Sequence, residues 1–304
     1  MPLDEIFLQY PKRGHRMDHD LYAWSNLFER PSLTLPNNAR VAVMLTIPLE
    51  FFPLNPSGKP FKAPGSMVTP YPDFRHYTTR DYGNRVGVFR LMKVLDSYGF
   101  KANFAINAAI AEKYPLLLEE VVKAGHEVVA HGKDMDALHY GGMDHDLEKQ
   151  YIAESLEILR SRSGQAVNGW LSPAFSESFE TPHLVAAAGC TFICDWANDD
   201  LPYWMKTHGG KLVALPLSQE ISDRRILIDY HQTQEGFVTQ VLDQFDALYE
   251  EAGTHGARVF SLMLTPYISG LPFRIHAVET ILKYISSKNG CINLTGTGIG
   301  HLLP

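Results

Sequence analysis

The chain has 304 residues, 45% hydrophobic and 20% charged, enough for one barrel-sized globular domain or two smaller ones. Its 34 acidic and 27 basic residues give a formal charge of −7 with no Lys/Arg-rich run, which argues against nucleic acid and membrane as partners. The first residues lack an apolar leader, no run of 18 apolar residues exists, and the three cysteines (Cys190, Cys194, Cys291) are sparse and odd in number, so free thiols and a cytoplasmic setting are expected.

Residues 1–38 are polar and aromatic with Pro11, Pro31 and Pro36, and read as an N-terminal arm over the surface, suited to a subunit contact. Residues 40–47, RVAVMLTI, are a continuous apolar run with β-branched members, the pattern of a buried strand. Between 53 and 78 stand Pro53, Pro56, Pro60, Pro64, Pro70 and Pro72, which exclude a helix and predict a long functional loop. A helix is predicted over 81–98, with Val86, Phe89, Val94 and Leu95 facing inward.

A strand over 102–106 follows, then a helix over 108–124 closed by Gly125, a strand over 127–130 and an amphipathic helix over 147–163 with Ile152, Leu156 and Leu159 on one stripe. Strands are expected at 167–171, 191–194, 212–216, 259–264 and 291–294, and helices at 182–188, 236–252 and 275–287. Cys190 and Cys194 bracket an apolar run and read as strand-buried. This alternation argues a parallel α/β architecture in a single domain over 39–304, without separating a barrel from an open sheet.

Side chains at the carboxyl ends of parallel strands point into the ligand crevice. Glu50 and His131 stand at two such ends. An apolar setting would raise the Glu50 pKa and suit it to general-base work, against the alternative of a solvated loop glutamate. Gly132 leaves room for a ligand beside His131, whose alternative is a hydrogen-bonded core residue. Asp199 and Asp200 could accept from an NH-rich ligand or form an Asx turn. Arg85 could hold a carboxylate bidentately or make a structural ion pair. The segments Ser222-Asp223-Arg224-Arg225 and Asp229-Tyr230-His231 read as surface loop, with His231 as a possible second proton shuttle. Gly296-x-Gly298-x-Gly300 is followed by no helix and fails the context test for a dinucleotide loop, and no Gly-x-Ser-x-Gly elbow exists.

Several segments together resemble the polysaccharide deacetylase (NodB-homology) superfamily. GHEVVAHGKDM is similar to its second motif, and RDYGNRVGVFRLMKVLDSYGFKANFAI, GWLSP, NDDLPYW and LTPYISGLPFR resemble the branch of metal-independent allantoinases, cyclic imide hydrolases and some peptidoglycan-deacetylase-like proteins. The resemblance runs from about Arg40 to the end and implies a distorted (β/α) barrel. Metal-dependent members carry paired acids after strand one and a His-x-x-x-His motif; here those positions read Glu50-Phe51 and His131 with Met135. Thr265 stands where the allantoinases have a histidine and Tyr267 where they have an arginine.

The resemblance implies a hydrolase of carbon–nitrogen bonds other than peptide bonds, opening a small cyclic amide, imide or ureide without cofactor or metal. In it Glu50 is the base and His131 orients water or meets the oxyanion. Asp199 and Asp200 accept from ring NH groups, Arg85 holds a carbonyl or carboxylate, and Trp170 walls the ring. Thr265, Tyr267 and His231 complete the substrate site, with His231 or Tyr267 as acid. A homo-oligomer, with a tetramer as one form, is the implied assembly. Three alternatives stay open: a zinc-dependent N-deacetylase with Asp134 or Asp136 as third ligand, a lyase or isomerase, and a non-catalytic binding protein.

Overall fold

The computed structural model describes residues 17–27 and 29–303. Of the proposed arm, residues 1–16 and 28 lie outside them.

A single curled sheet organises the chain. Its strands are β1 (Val41–Leu49), β2 (Asn103–Ile106), β3 (Glu127–Ala130), β4 (Gly169–Trp170), β5 (Phe192–Ile193), β6 (Tyr203–Met205), β7 (Leu212–Ala214), β8 (Arg258–Met263) and β9 (Cys291–Asn293). They lie in the order β6-β7-β5-β4-β3-β2-β1-β8, with β9 beside the first half of β1. Every pairing is parallel except β6 with β7. All nine residues of β1 are buried because helices cover the outer face and side chains fill the inner one, so its sequence reads as an unbroken apolar run. The sheet curls until the segment after β7 meets β8: Ser218 N–H donates to Ser261 Oγ at 2.8 Å. This is the distorted (β/α) barrel expected, in one domain. No helix among the described residues is long and apolar enough to cross a membrane.

The helices differ in detail from the sequence expectation. The proline-rich segment is non-helical only to residue 73, where the Asp73 side chain caps α1 (Phe74–Tyr82). A π-helical segment, Gly83–Gly87, joins α1 to α2 (Val88–Ser97). The extra residue in that turn rotates the helix face, so Val86 and Phe89 are 36% and 43% exposed, and the buried stripe is Val88, Leu91, Val94 and Leu95. The predicted helix over 108–124 is two, α3 (Ala108–Lys113) and α4 (Pro115–Lys123), because Pro115 cannot continue a helix and starts a new one.

Helix α5 (His145–Ser163) keeps the predicted stripe, and α6 (Thr181–Ala187) and α7 (Gln234–His255) follow near their expected places. A short α8 (Pro266–Ser269) precedes α9 (Ile275–Ser286). Strand β6 and α8 were not anticipated, being too short to show a period. The glycine run at 296–300 forms a short helix itself, α10 (Gly296–Gly300). Cys190 and Cys194 are buried around β5 as expected.

Gly83 and Gly87 explain the sequence YGNRVG. A β-carbon at Gly87 would overlap the Pro266 carbonyl, and one at Gly83 would lie 2.8 Å from Tyr267 N. Their bareness lets the π-helical segment pack directly on α8, which fixes Tyr267 at the mouth of the barrel.

Candidate active site

Glu50 follows β1, His131 follows β3, Leu171 follows β4, and Thr265 lies just past β8. Their strands are parallel, so the four gather at one end of the barrel around a cavity of about 280 Å³ that all of them line. Sequence reasoning missed Asn107, the fully buried residue that ties two of these ends together. It follows β2, its Oδ1 accepts from Phe51 N–H at 2.8 Å, and its Nδ2 donates to the His131 carbonyl. The signal was available: a polar residue directly after a buried apolar strand, as at Glu50.

The His131 ring is 3% exposed. Its Nδ1 lies 2.7 Å from the Leu171 carbonyl. A carbonyl only accepts, so Nδ1 carries a proton. Nε2 has no hydrogen-bond partner among the described residues and faces Glu50 Oε1 across 4.0 Å. That gap is longer than a hydrogen bond.

Glu50 is held at its carboxylate and at its backbone carbonyl. The Tyr267 hydroxyl donates to its Oε2 at 3.2 Å and accepts from Arg224 Nη2 at 2.6 Å, and Asn84 Nδ2 donates to the Glu50 carbonyl at 3.1 Å. Burial pushes the Glu50 carboxyl up, but the His131 ring, the Arg224 guanidinium and the Tyr267 hydroxyl together hold it below the usual carboxylate range. The raised pKa expected from an apolar setting is thereby corrected: burial is present, and charge outweighs it.

Arg224 is the largest departure from the sequence reading. The run Ser222-Asp223-Arg224-Arg225 is not surface loop. It enters a π-helical segment, Arg224–Asp229, that turns Asp223 fully inward and Arg224 into the cavity. Asp223 accepts from Thr265 N–H at 2.7 Å, from the Thr265 hydroxyl at 2.9 Å and from the Ser269 hydroxyl at 2.6 Å. Burial raises its carboxyl to about 6. Thr265 therefore faces the cavity with its hydroxyl proton already engaged.

Five expected site residues are elsewhere. Arg85 is 74% exposed and pairs with Asp81 at 3.7 Å, because the π-helical turn aims it outward; its neighbour Asn84 takes the inward place. Trp170 is fully buried, its Nε1–H on Ser172 Oγ at 2.9 Å, so it is core and not a wall of the cavity. Asp199 is bound by Arg30 at 2.5 Å and caps Leu201 N–H. The Asp200 carbonyl accepts from Val259 N–H near the start of β8, while Thr265 lies past its end, roughly 20 Å along the strand. His231 is exposed with a left-handed φ of 53° and does not line the cavity.

The room expected at Gly132 is filled by Pro173, and the residue is needed there for its φ of 63°. Asp134, offered as a third metal ligand, accepts from Asp136 and Ala137 N–H, and Asp136 accepts from Ser57 and Gly58 N–H. Among the described residues no group of three or more His, Cys, Asp and Glu is placed to hold an ion. At the cavity the donors are Glu50 and His131, with Asp229 paired to Arg225 at 3.2 Å; Met135 contributes only a thioether, and the Arg224 charge already acts on Glu50. This set does not fit a resident zinc, which takes three protein ligands.

Residues 70–193 match the family model described as polysaccharide deacetylase. That segment carries His131; Glu50, Arg224, Thr265 and Tyr267 lie outside it. A Schizosaccharomyces pombe protein named, provisionally, a polysaccharide deacetylase is 26% identical over 69% of this chain and 70% of its own. The peptidoglycan deacetylase of Helicobacter pylori is 25% identical over 69% of this chain and 80% of its own. Among solved structures, PuuE allantoinase superposes with a TM-score of 0.80 at 23% identity, covering 93% of this chain and 97% of that one. The fold is thus that of the deacetylase-type hydrolases.

Proposed function

We propose that this site hydrolyses a carbon–nitrogen bond, other than a peptide bond, in a small cyclic amide, imide or ureide, and needs no resident metal to do so. The observation that carries the reading is the Glu50–His131 pair: a carboxylate held on one oxygen by Tyr267 and a ring nitrogen without a hydrogen-bond partner among the described residues, 4.0 Å apart at the wall of a small cavity. Two acceptors at that spacing suit a water that donates one proton to each, leaving a lone pair for the substrate carbonyl carbon.

Glu50 takes the proton as the water oxygen bonds to that carbon. When the carbon–nitrogen bond breaks, the same proton passes to the leaving nitrogen. A carboxyl held low is a modest base but a good acid for that second step. His131, fixed through Nδ1, orients the water. The cavity of about 280 Å³ matches a ring better than a polymer chain.

A zinc-dependent N-deacetylase is the second reading, favoured by the family match and the names of the relatives. One experiment separates the two. Purified protein is analysed for metal, treated with chelator, and assayed on hydantoins, cyclic imides, ureides and N-acetylated sugars, with Glu50→Gln alongside. Ring opening that survives chelation and fails in Glu50→Gln supports the proposal. Stoichiometric zinc, with activity lost to chelator, overturns it.

A further inference from the structure

Two guanidinium groups converge at one corner of the cavity. Arg224 lines it, and Arg80, from α1, stands behind the lining against the same Tyr267 ring and Gly65. Their carbons lie 5.9 and 5.4 Å from the centre of the Tyr267 ring. Both Nη2 atoms press on Gly65. Its carbonyl accepts from Arg80, and a β-carbon there would overlap Arg224 Nη2 and lie 3.2 Å from Arg80 Nη2. With φ at 83°, position 65 favours glycine on backbone grounds as well.

Neither charge is matched by a bonded carboxylate among the described residues. Arg80 donates to the His76 and Gly65 carbonyls, and its Nε is buried without a partner. Arg224 donates to the neutral Tyr267 hydroxyl. Glu50, Asp73 and Asp223 act on the two only through space. Arg225 lines the same cavity and shows the contrast, with Asp229 at 3.2 Å and Glu220 at 3.9 Å. Converging like charges with N–H donors to spare are relieved by an anion placed between them, and a guanidinium fork suits a carboxylate.

We propose that this corner binds a carboxylate carried by the substrate, so that the ring taken by the site is an anion. The proposal rests on the ring-hydrolase reading for the identity of the reaction, and on the corner alone for the charge.

Binding is measured by calorimetry with two matched pairs: hydantoin and hydantoin-5-acetate, and succinimide and its 3-carboxymethyl derivative. Wild type is expected to bind the acidic member of at least one pair about tenfold or more tightly. Arg224→Met and Arg80→Gln are expected to erase that preference. Absence of a preference in both pairs, including no binding of any member, overturns the proposal, and that result needs no variant to fold. N-carbamoylglycine is the third arm. If it binds more tightly than hydantoin-5-acetate while neutral hydantoin is opened, the corner serves the product carboxylate and the proposal fails. If an acidic ring binds in an arginine-dependent way but no ring opens, the anion site stands and the hydrolase reading falls.

Discussion

The His131 ring and the Asp195 carboxylate bond to opposite edges of one peptide group. His131 Nδ1–H donates to the Leu171 carbonyl at 2.7 Å, and the N–H of the same peptide, at Ser172, donates to Asp195 Oδ1 at 2.7 Å. A carboxylate on the N–H side polarises the amide and strengthens the carbonyl as an acceptor. Asp195 is therefore a positioning residue for His131. Asp195→Asn can keep an acceptor on Ser172 while removing the charge, so kcat should fall about tenfold, the ~1.5 kcal/mol of a charge-assisted hydrogen bond, with KM and the melting temperature little changed. Asp195→Ala leaves the buried Ser172 N–H without a partner and should lower stability too. Steady-state kinetics beside thermal melts separate the two effects, and an unchanged kcat in Asp195→Asn would remove the role.

Glu50→Gln should cut turnover by about 10² to 10⁴ while preserving the fold, since the amide keeps the volume but cannot take a proton. The pH profile has a definite sign. A carboxyl held below its usual range stays ionised as pH falls, so the acid limb should lie below that of an ordinary glutamate. Arg224→Met removes one of the forces that lower it, so the acid limb should move to higher pH. A profile identical to wild type would show that Glu50 does not titrate in that limb.

The first strand and the strand-end positions of Glu50 and His131 were legible because a buried parallel strand prints as an unbroken apolar run whose end can be read directly. Arg224 was not, because it sits beside Arg225 in a polar run where the two look alike. Which of them turns inward is decided by the π-helical segment and the Tyr267 hydroxyl, contacts between distant parts of the chain. Arg85 failed for the same reason in reverse, since an α-helical period cannot foresee a π-helical turn that aims it at solvent. Trp170 was misplaced because β4 is two residues long, too short to show which face its side chain takes.

Asp223 should make stability fall as pH rises from about 4 to about 6. Its folded carboxyl is raised to about 6 by burial, so in that window the native state holds a proton the unfolded chain has released. The unfolded state then binds fewer protons, and unfolding free energy declines with pH. The shift corresponds to on the order of 3 kcal/mol. Asp223→Asn cannot ionise and should flatten this part of the curve. It would also lose acceptor capacity toward Thr265 and Ser269, lowering stability throughout. Urea titrations at several pH values measure both.

Gly132→Ala should cost far more than Gly164→Ala, although the two glycines share nearly the same backbone, with φ of 63° and 67°. A left-handed conformation penalises any β-carbon by about 1 kcal/mol, and this part should be equal in both variants. At Gly164, the C-cap of α5, nothing among the described residues lies within 4 Å of the added carbon, so the conformational cost should be the whole effect. At Gly132 the new carbon would sit 2.5 Å from Pro173 Cγ and 2.9 Å from Cδ, inside a packed loop that cannot yield without moving the chain. A further ~1–3 kcal/mol is expected from that overlap. Because His131 is the preceding residue, relief of the clash displaces the ring from Glu50, so activity should fall in Gly132→Ala and hold in Gly164→Ala. Equal losses of stability in urea would mean that backbone strain alone fixes Gly132, and that Pro173 is free to move aside.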